Sequence, residues 1–573
     1  MSSPVGANRP WLFGPAVDLL FGCGIGYALL VVVLAALGLG MDRIHGWLPF
    51  VILVTGLPHY GATLERVYST PAARKRYGRY SLLFGLLVWG AFVGTLVSGK
   101  GATALVTLYL TWSPWHYAAQ NFGLVMMFLR RARAEVSPTF RLLVKSSFVL
   151  SFLLVFVNIH RGSSASVNDP LYAAPSARDA VRFAPLGIPD ALSNVLVVAF
   201  GAAYLVVTIA CLVLVFKRTP SGARAPILAL LASQSVWFVL PVALGQFVPE
   251  WVGPMGPVAL AFIWVAIAHS VQYLWISLHF ARASGRTDTT YRSIARYFSF
   301  AVFAGAALWV FPVLASVKGG LTRMPHESGL DMVVAAAVNL HHFLLDGVIW
   351  KLRDAPVREA LVDEQTPPAN EKSSRVGLSF GRVLLASVGT IAVASWIIAA
   401  WEQEVGRRHS VAKGDLARLE MAARRLTMIG RDGPRIHQAI AKIHKNRGEY
   451  DAALVRYRRS IELWPTASAW VGIGKIHEVR GQFAEARNAY EAALSVEPNH
   501  ASALDDLAHV IAAQGDLEGA VRMQRRAIIA APDRMDLRRR YDALLVKLPI
   551  AADDATEEII VDVYDAGVVD SER

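Results

Sequence analysis

Apolar residues form long continuous stretches over the first 400 residues of the chain. A helix needs about 20 consecutive apolar residues to cross a bilayer. Eleven stretches reach about this length, so the pattern predicts eleven membrane-spanning helices. They lie near residues 19–40, 47–64, 81–98, 102–129, 143–160, 192–216, 225–245, 254–281, 298–317, 330–350 and 383–401.

The pattern changes after Trp401, where charged residues become frequent and a repeat of about 34 residues begins. Three copies align, and they contribute Gly448, Tyr450, Ala453, Tyr457 and Pro465; Gly481, Phe483, Ala486, Tyr490, Ala493 and Pro498; and Gly515, Leu517, Ala520, Ala527 and Pro532. Small residues let two helices approach, the aromatic ring fills the groove between them, and the proline ends the second helix. The copies resemble tetratricopeptide repeats, and this resemblance implies an α-solenoid that binds a protein partner.

Together these patterns predict an all-α protein made of four segments. Residues 1–401 form a polytopic transmembrane domain, and residues 402–433 form a linker with a degenerate repeat. Residues 434–548 form the tetratricopeptide repeats with a closing helix. Residues 549–573 form an acidic tail that we predict to be disordered, because it is highly charged and has few residues that build a core.

Composition agrees with a membrane protein. Of the 573 residues, 54% are hydrophobic and 18% are charged, whereas soluble proteins carry about 25% charged residues. This excludes a wholly soluble enzyme. The formal net charge of +13 does not indicate a nucleic-acid partner, because the Lys and Arg residues occur in short groups between apolar stretches rather than along one face.

The positions of the cations predict the orientation of the chain in an inner (cell) membrane. Loops after the even-numbered spans contain 22 Lys and Arg residues, whereas loops after the odd-numbered spans contain 7. Because positively charged loops remain in the cytoplasm, the N-terminus and the even-span loops are predicted to be cytoplasmic. Eleven crossings then place the repeat domain on the opposite side, which is the periplasm in a bacterium.

Six histidines lie within the predicted spans, all on spans two, four, eight and ten, which run in one direction. They are His59, His116, His269, His279, His341 and His342. We counted the residues from each histidine to the next cation along the chain and converted them at about 1.5 Å per residue. Five histidines then lie roughly 10 to 21 Å from the cytoplasmic boundary, and His279 lies nearer to it. The sequence therefore predicts that these five meet at one depth.

Polar side chains accompany these histidines at helical spacing. Gln120 follows His116 by four residues and Asp346 follows His342 by four, so each pair shares one helix face. Several imidazoles with one carboxylate suit iron, manganese, copper or zinc, and both cysteines lie inside apolar runs. We predict an intramembrane metal site, with iron favoured and haem as the alternative. Its predicted ligands are His59, His116, His269, His341 and His342, with Asp346 and Gln120 as the catalytic groups that orient them.

Two of the histidine motifs resemble a known family. Gly56-Leu57-Pro58-His59-Tyr60-Gly61-Ala62 and Trp115-His116-Tyr117 are similar to the first two histidine motifs of the Brp/Blh family of membrane β-carotene dioxygenases, in which histidines from several helices hold a non-haem iron. The resemblance implies iron bound by His59, His116 and His269, with His279 as a fourth ligand. It also implies oxidative attack on a lipid-dissolved polyene or a similar substrate.

The sequence leaves three functions open. The first is an iron-dependent oxygenase or desaturase that acts on an isoprenoid or acyl lipid and carries a repeat domain for protein interaction. The second is a lipid-linked-sugar glycosyltransferase, for which Asp42 in the first outer loop is the candidate acid. The third is a non-enzymatic membrane anchor that presents the repeats as a scaffold. A proton pathway and interhelical packing are two further explanations of the histidines.

Overall fold

The computed structural model describes residues 10–36, 47–98, 101–162, 183–247, 257–310, 329–363, 380–532 and 534–548. Within these ranges the chain is helical, and β-type pairing is limited to an isolated bridge between Arg161 and Ile188. The all-α prediction is confirmed. The chain divides into two compact units, the first with residues 1–173, 181–405 and 429–431 and the second with residues 174–180, 406–428 and 432–573. The four predicted segment boundaries stay predictions.

We number the main helices in chain order. Those of the first unit are α1 Ile25–Ala36, α2 Leu48–Tyr68, α3 Pro71–Ser98, α4 Ala102–Arg131, α5 Pro138–Ile159, α6 Asp190–Arg218, α7 Arg224–Gln234, α8 Leu240–Phe247, α9 Pro257–Ala283, α10 Tyr291–Ala307, α11 Leu330–Ile349 and α12 Phe380–Ala400. The π-helical turn Ser235–Val239 joins α7 to α8, and the π-helical turn Asp18–Gly22 precedes α1.

Six segments of the described chain are long and apolar enough to cross a membrane. They are Pro71–Ser98, Pro138–Ile159, Asp190–Arg218, Ser221–Gln246, Leu330–Ile349 and Leu384–Lys413. The helices α2, α4 and α9 are also long but are not among the six. The number of eleven crossings therefore stays a prediction.

The helices of the first unit differ in how much of their apolar surface they bury. In α11, 78% of the apolar window is buried inside the protein, whereas the corresponding share is 22% in α3 and 17% in α6. The outward faces of α3 and α6 expose large aliphatic side chains such as Leu86 and Val206. An interior helix surrounded by helices with apolar outer faces is the arrangement expected of a bundle that lies in lipid.

The closest helix contact in the first unit joins α2 to α10. A Cβ atom on Gly61 would lie 1.8 Å from the carbonyl oxygen of Ala301, and one on Gly305 would lie 1.8 Å from that of Leu57. Glycine is therefore required at both positions. Such backbone-to-backbone approach through small residues is typical of helices that associate in membranes.

The second unit is a series of helical pairs. Its helices are α13 Arg407–Lys413, α14 Leu416–Met428, α15 Pro434–Asn446, α16 Tyr450–Leu463, α17 Ala467–Val479, α18 Phe483–Val496, α19 Ala501–Ala513, α20 Leu517–Ala530 and α21 Met535–Leu545. Helices α15 and α16, α17 and α18, and α19 and α20 pack as consecutive pairs, and α21 packs on α20. The predicted acidic tail, residues 549–573, lies outside the described residues.

The repeat positions found in the sequence have clear roles in these pairs. Gly448, Gly481 and Gly515 follow the first helix of each pair at φ of +77°, +70° and +92°, a conformation that favours glycine. The ring of Tyr457 lies against Gly472, where a Cβ atom would come within 2.3 Å of it. Aromatic rings and small residues therefore interlock along the solenoid, as the sequence predicted.

Candidate metal centre

Four helices of the first unit converge on one buried cluster of imidazoles. Helix α2 packs on α9 and α11, and α4 packs on the same two helices. They contribute His59 from α2, His116 from α4, His269 from α9 and His342 from α11, whose exposed fractions lie between 1% and 8%. The structure therefore brings together four of the five histidines predicted as ligands.

Two of these histidines lie beside prolines in helix interiors. Pro58 precedes His59 in α2, and Pro114 lies two residues before His116 in α4. A proline lacks the N–H group that would bond the preceding turn, and its ring bends the helix at that point. Both helices are thus locally adapted where they supply a cluster side chain.

The spacing of four ring pairs matches that of ligands around one ion, whereas the ring centroids of His269 and His342 lie farther apart, at 6.3 Å. Ring centroids are separated by 4.1 Å for His59 and His342, 5.0 Å for His59 and His269, 4.9 Å for His116 and His269, and 5.3 Å for His116 and His342. A nitrogen ligand lies about 2.0–2.1 Å from such an ion, which places two tetrahedrally arranged ring centres about 5 Å apart. Ligand atoms of His59, His269 and His342 all lie within 4.8 Å of one another.

Asp346 adds a carboxylate to the cluster. It lies one turn after His342 on α11, and its Oδ2 atom is 3.2 Å from His342 Nε2 and 3.6 Å from His116 Nε2. These three residues form a second group whose ligand atoms also lie within 4.8 Å of one another. The carboxylate therefore faces the same space as the rings.

The buried ring nitrogens of the cluster lack hydrogen-bond partners. Among the described residues, no partner is found for either ring nitrogen of His59 and His269, or for Nε2 of His116 and His342. A buried polar atom without a partner costs about 1–3 kcal/mol, and six such atoms in one cluster need an explanation. A bound cation explains at most four of them, one on each ring, because a neutral imidazole has a single lone-pair nitrogen and the second nitrogens of His59 and His269 carry their N–H.

A hydrogen-bonded relay links His342 to Asp346. With Asp346 ionised, the Tyr273 hydroxyl donates to Asp346 Oδ1 at 3.0 Å, so it accepts from Thr63 Oγ1 at 2.7 Å. The Thr63 hydroxyl has then used its proton and accepts from His342 Nδ1 at 2.9 Å. In this state the ring proton lies on Nδ1 and the lone pair on Nε2 faces the carboxylate.

The pair of His342 and Asp346 can therefore hold either a shared proton or a cation. A nitrogen lone pair and a carboxylate oxygen 3.2 Å apart are stable beside one another when a positive centre, a proton or a metal ion, lies between them. Two three-residue groups share His342, one of three imidazoles and one of two imidazoles with a carboxylate, and such donors suit iron, manganese, copper or zinc. On the chemistry of the residues present, the cluster fits the predicted metal ion.

Aromatic side chains enclose the cluster. Phe343 stacks on His116 with ring centroids 4.2 Å apart, and Tyr117 lies 4.4 Å from His269. Trp350 donates from Nε1 to the Tyr273 hydroxyl at 3.1 Å and so holds the relay from its other side. These groups are buried or nearly so and keep water away from the rings.

Three predicted residues lie elsewhere in the first unit. His341 lies 3.3 Å through Nε2 from the Ser81 carbonyl oxygen, on a different face of α11 from His342. His279 lies 3.3 Å from the Ala360 carbonyl oxygen. Gln120 donates to Gln272 Oε1 at 2.6 Å. Residue Asp42, the acid considered for a glycosyltransferase, lies outside the described residues.

Thr63 and Trp350 belong to the relay but were not assigned a role from the sequence. Thr63 follows His59 by four residues, the same spacing that singled out Gln120 and Asp346. This spacing was the available signal for Thr63. Trp350 had none, since membrane-interface tryptophans are common.

Comparison with known proteins concerns the second unit. The family named tetratricopeptide repeat matches residues 439–487 and 474–534. This part of the chain consists of tetratricopeptide repeats. The match confirms the repeat prediction and the expectation that this unit interacts with proteins, whereas the Brp/Blh resemblance of the first unit stays a prediction.

Two solved structures are similar to the chain. YrrB, a TPR protein with an unusual peptide-binding site, is 18% identical, with 28% of this chain and 82% of that chain covered and a TM-score of 0.22. A thermophilic TPR protein of Thermus thermophilus is 17% identical, with 29% and 92% covered and a TM-score of 0.22. At that score the likeness supports no further argument. No curated protein matches the chain.

Proposed function

We propose that this protein is a membrane metalloenzyme, an iron-dependent oxygenase or desaturase that acts on an isoprenoid or acyl lipid. The observation that carries the proposal is the set of six buried ring nitrogens without partners on four imidazoles from four helices. Interhelical packing explains it less well, because packing histidines gain their energy from hydrogen bonds, and neither ring nitrogen of His59 or His269 has a partner among the described residues.

The ligands of the ion would be His59, His116, His269 and His342, with Asp346 completing the set. When bound, a redox-active ion of this kind supplies Lewis-acid and one-electron chemistry toward dioxygen. The protein orients the ligands, because Thr63 and Tyr273 set the tautomer of His342 and the position of the Asp346 carboxylate. The aromatic enclosure by Phe343 and Tyr117 excludes water and suits an apolar substrate.

The location in a membrane follows from the same unit. Six apolar helical segments and the exposed aliphatic faces of α3 and α6 support insertion into a bilayer. The predominance of Lys and Arg after even-numbered spans supports a cytoplasmic N-terminus and a periplasmic repeat unit in an inner membrane. Reporter fusions at the N-terminus and after the repeats test this orientation.

Metal analysis of the purified full-length protein tests the proposal. Two neighbouring histidines provide a matched pair of variants, since His342 lies in the cluster and His341 faces Ser81. We expect about one iron per chain in the unmutated protein and in H341Q, and background metal in H342Q. Stoichiometric metal in H342Q, or its absence from the unmutated protein, contradicts the proposal.

An optical spectrum of the same samples separates the two kinds of iron centre. A non-haem site lacks the intense Soret absorption of haem, and we expect no such band. A Soret band lost in H342Q would replace the non-haem assignment with the haem alternative. If no metal is found, the proposal is wrong, and the glycosyltransferase and the membrane-anchored scaffold are the functions that remain.

A further inference from the structure

The second unit carries a group of lysines on the first helices of its pairs. Helix α15 contacts α17, and α17 contacts α19, so these three helices form one continuous side of the solenoid. We define the lysine face as Lys442 and Lys445 from α15 and Lys475 from α17. None of these residues has a part in the proposed metal site, so an inference about them does not depend on it.

The three lysines lie close enough to act on one another. Lys442 is exposed and Lys445 is half-buried. Burial lowers the pKa of Lys445, and the charges of Lys475 and Lys442 lower it further, opposed by Asp506 on α19. The ammonium groups of α15 and α17 therefore share one electrostatic environment.

The acids on this side of the solenoid are already bonded. Helices α15, α17 and α19 contain three acids in all. Asp506 Oδ2 lies 3.1 Å from Lys475 Nζ, and Asp505 accepts from Gln524 and Arg540. The third acid, on α17, accepts from a tyrosine hydroxyl at 2.7 Å and lies 2.6 Å from a histidine nitrogen of α19; these residues are Glu478, Tyr490 and His509.

The lysines of α15 are not paired in this way. Glu449, four residues after Lys445, bonds the neighbouring His444 instead. Within the described part of the chain, neither Lys442 nor Lys445 has an ion-pair partner. Three lysines and the single aspartate that acts on them leave a charge of +2 at the lysine face. Such a face attracts a segment that carries several carboxylates.

The same chain contains a segment of opposite charge. Residues 549–573 include eight Asp and Glu residues and one Arg. Residues 434–548 include 18 Lys and Arg residues and 14 Asp and Glu residues. The repeats and the acidic segment that follows them are therefore complementary in net charge.

The acidic segment starts within reach of the lysine face. Helix α21, the last before the segment, lies beside α19, because Arg540 pairs with Asp505. Neighbouring helices are about 8–10 Å apart, so three such steps place α15 about 24–30 Å from α21. An extended chain covers about 3.3–3.6 Å per residue. Glu557, nine residues after Leu548, can therefore reach α15, and the acids that follow it can reach it as well.

We propose that the acidic segment of residues 549–573 binds to the lysine face of its own chain. The sequence predicts that this segment has no core of its own, and an extended segment can place successive carboxylates along the three lysines. Each exposed ion pair contributes little by itself, so the contact is reversible and sensitive to salt. A protein partner that needs the same face then competes with the segment.

The competing explanation is that the lysines are only hydrated surface charges. Arg458 provides the comparison, because it is an exposed cation of the same helical pair, on α16, and has no ion-pair partner in the ranges that the structure describes. Its helix does not contribute to the lysine face. We therefore use Arg458 as the control position.

Carbodiimide cross-linking of the full-length protein, followed by mass spectrometry, tests the proposal. The reagent joins a carboxylate directly to an amine, so it links groups that are in contact. We expect the acids of residues 549–573 to link to the lysine face and not to Lys413, which is exposed on α13. K445E should lower the links to Lys442 and Lys475 about fivefold or more, because it removes an attraction and adds a repulsion. R458E should leave them unchanged.

Two further measurements make the result decisive. Cross-linking a mixture of isotopically light and heavy protein separates links within one chain from links between two copies. Hydrogen exchange in α15 shows whether K445E remains folded; if it does not, K442E at the exposed position replaces it, with the links to Lys445 and Lys475 as its readout. Links confined to pairs of copies, links spread equally to Lys413, or equal yields in the lysine variant and R458E overturn the proposal.

Discussion

Two buried histidines, one in each unit, show how the units differ. In the repeats, His437 is 4% exposed and its Nε2 atom lies 2.9 Å from Asp432 Oδ1. In the first unit, His269 is 1% exposed and neither of its ring nitrogens has a partner among the described residues. The ring of His437 has a hydrogen-bond partner within its own unit, whereas the ring nitrogens of His269 gain a partner only if another group binds them.

The same contrast extends to other buried polar groups. The carboxylate of Asp505 in α19 accepts hydrogen bonds from Gln524 and Arg540. This buried acid of the solenoid is therefore paired. Around His59 and His342, by contrast, six ring nitrogens on four neighbouring imidazoles have no partner among the described residues. Single unpaired atoms also occur elsewhere, for example Trp464 Nε1 in the second unit, so it is the gathering of many in one place that distinguishes the candidate site.

The largest expected effect comes from replacing each histidine with leucine. We expect H269L to lose the bound metal, yet in metal-depleted protein to be as stable as the unmutated chain or more stable, because it removes two unpaired polar atoms. We expect H437L to keep the metal and to lower the stability of α15 by about 1–3 kcal/mol, because Asp432 loses a partner.

Hydrogen exchange of the full-length protein, with and without metal, measures both units in one sample. The contrast between His269 and His437 is wrong if metal-depleted H269L loses hydrogen-exchange protection in α9, as H437L is expected to do in α15. His269 would then be a packing residue like His437.

A smaller effect is expected at Tyr273, whose hydroxyl sets the relay. Y273F removes the donor to Asp346, so neither the carboxylate nor the His342 tautomer is fixed any longer. Loss of such supporting contacts typically weakens metal affinity 10–100-fold. Y60F is the control, since Tyr60 also contacts His59 and His342 but bonds Asn339.

Competition with a chelator, followed by elemental analysis, gives the affinity of each tyrosine variant. Equal metal affinities of Y273F and Y60F would show that the relay does not support metal binding. They would leave the ring cluster itself in place.

The repeats are expected to respond to packing instead. G472V places a side chain against the Tyr457 ring, where a Cβ atom alone would be 2.3 Å away. Overpacking of this kind costs about 1–3 kcal/mol, so exchange in α16 and α17 should accelerate while the metal content stays unchanged. V479A, at an exposed site on α17, should change neither. Unchanged protection in G472V would show that this contact does not support the pair.

The smallest effect concerns the acid stability of the repeats. Burial raises the pKa of Asp432, but hydrogen bonds and charges from His437 and Arg459 outweigh it and hold the pKa below its ordinary value. The resulting stability is present above the unfolded pKa of about 3.9 and is lost as the pH falls through the lower folded value. Protection of α15 should be constant from pH 7 to 5 and fall below about pH 4. D432N should abolish this loss of protection at low pH. If α15 still loses protection in D432N, another titrating group causes the loss.

The sequence predicted the second unit well because its information is local. A period of 33 and then 34 residues placed Gly448, Gly481 and Gly515 where the structure needs positive φ. Each repeat contacts mainly its neighbours, so a pattern along the chain is also a pattern in space.

The sequence predicted the candidate site less completely, because side-chain direction depends on packing between helices. Depth along the spans indicated which histidines lie near one another, but it could not separate His341 from His342, which are neighbours in sequence and about 100° apart around α11. The tautomer of His342 depends on Thr63 and Tyr273, which come from two other helices. Only the assembled bundle shows that relay.

X-ray absorption at the metal edge of the purified full-length protein tests the central claim most directly. We predict a shell of four or five nitrogen and oxygen ligands at about 2.0–2.2 Å, with the outer-shell scattering of several imidazoles. An edge without imidazole scattering, or no bound metal at all, would contradict the account.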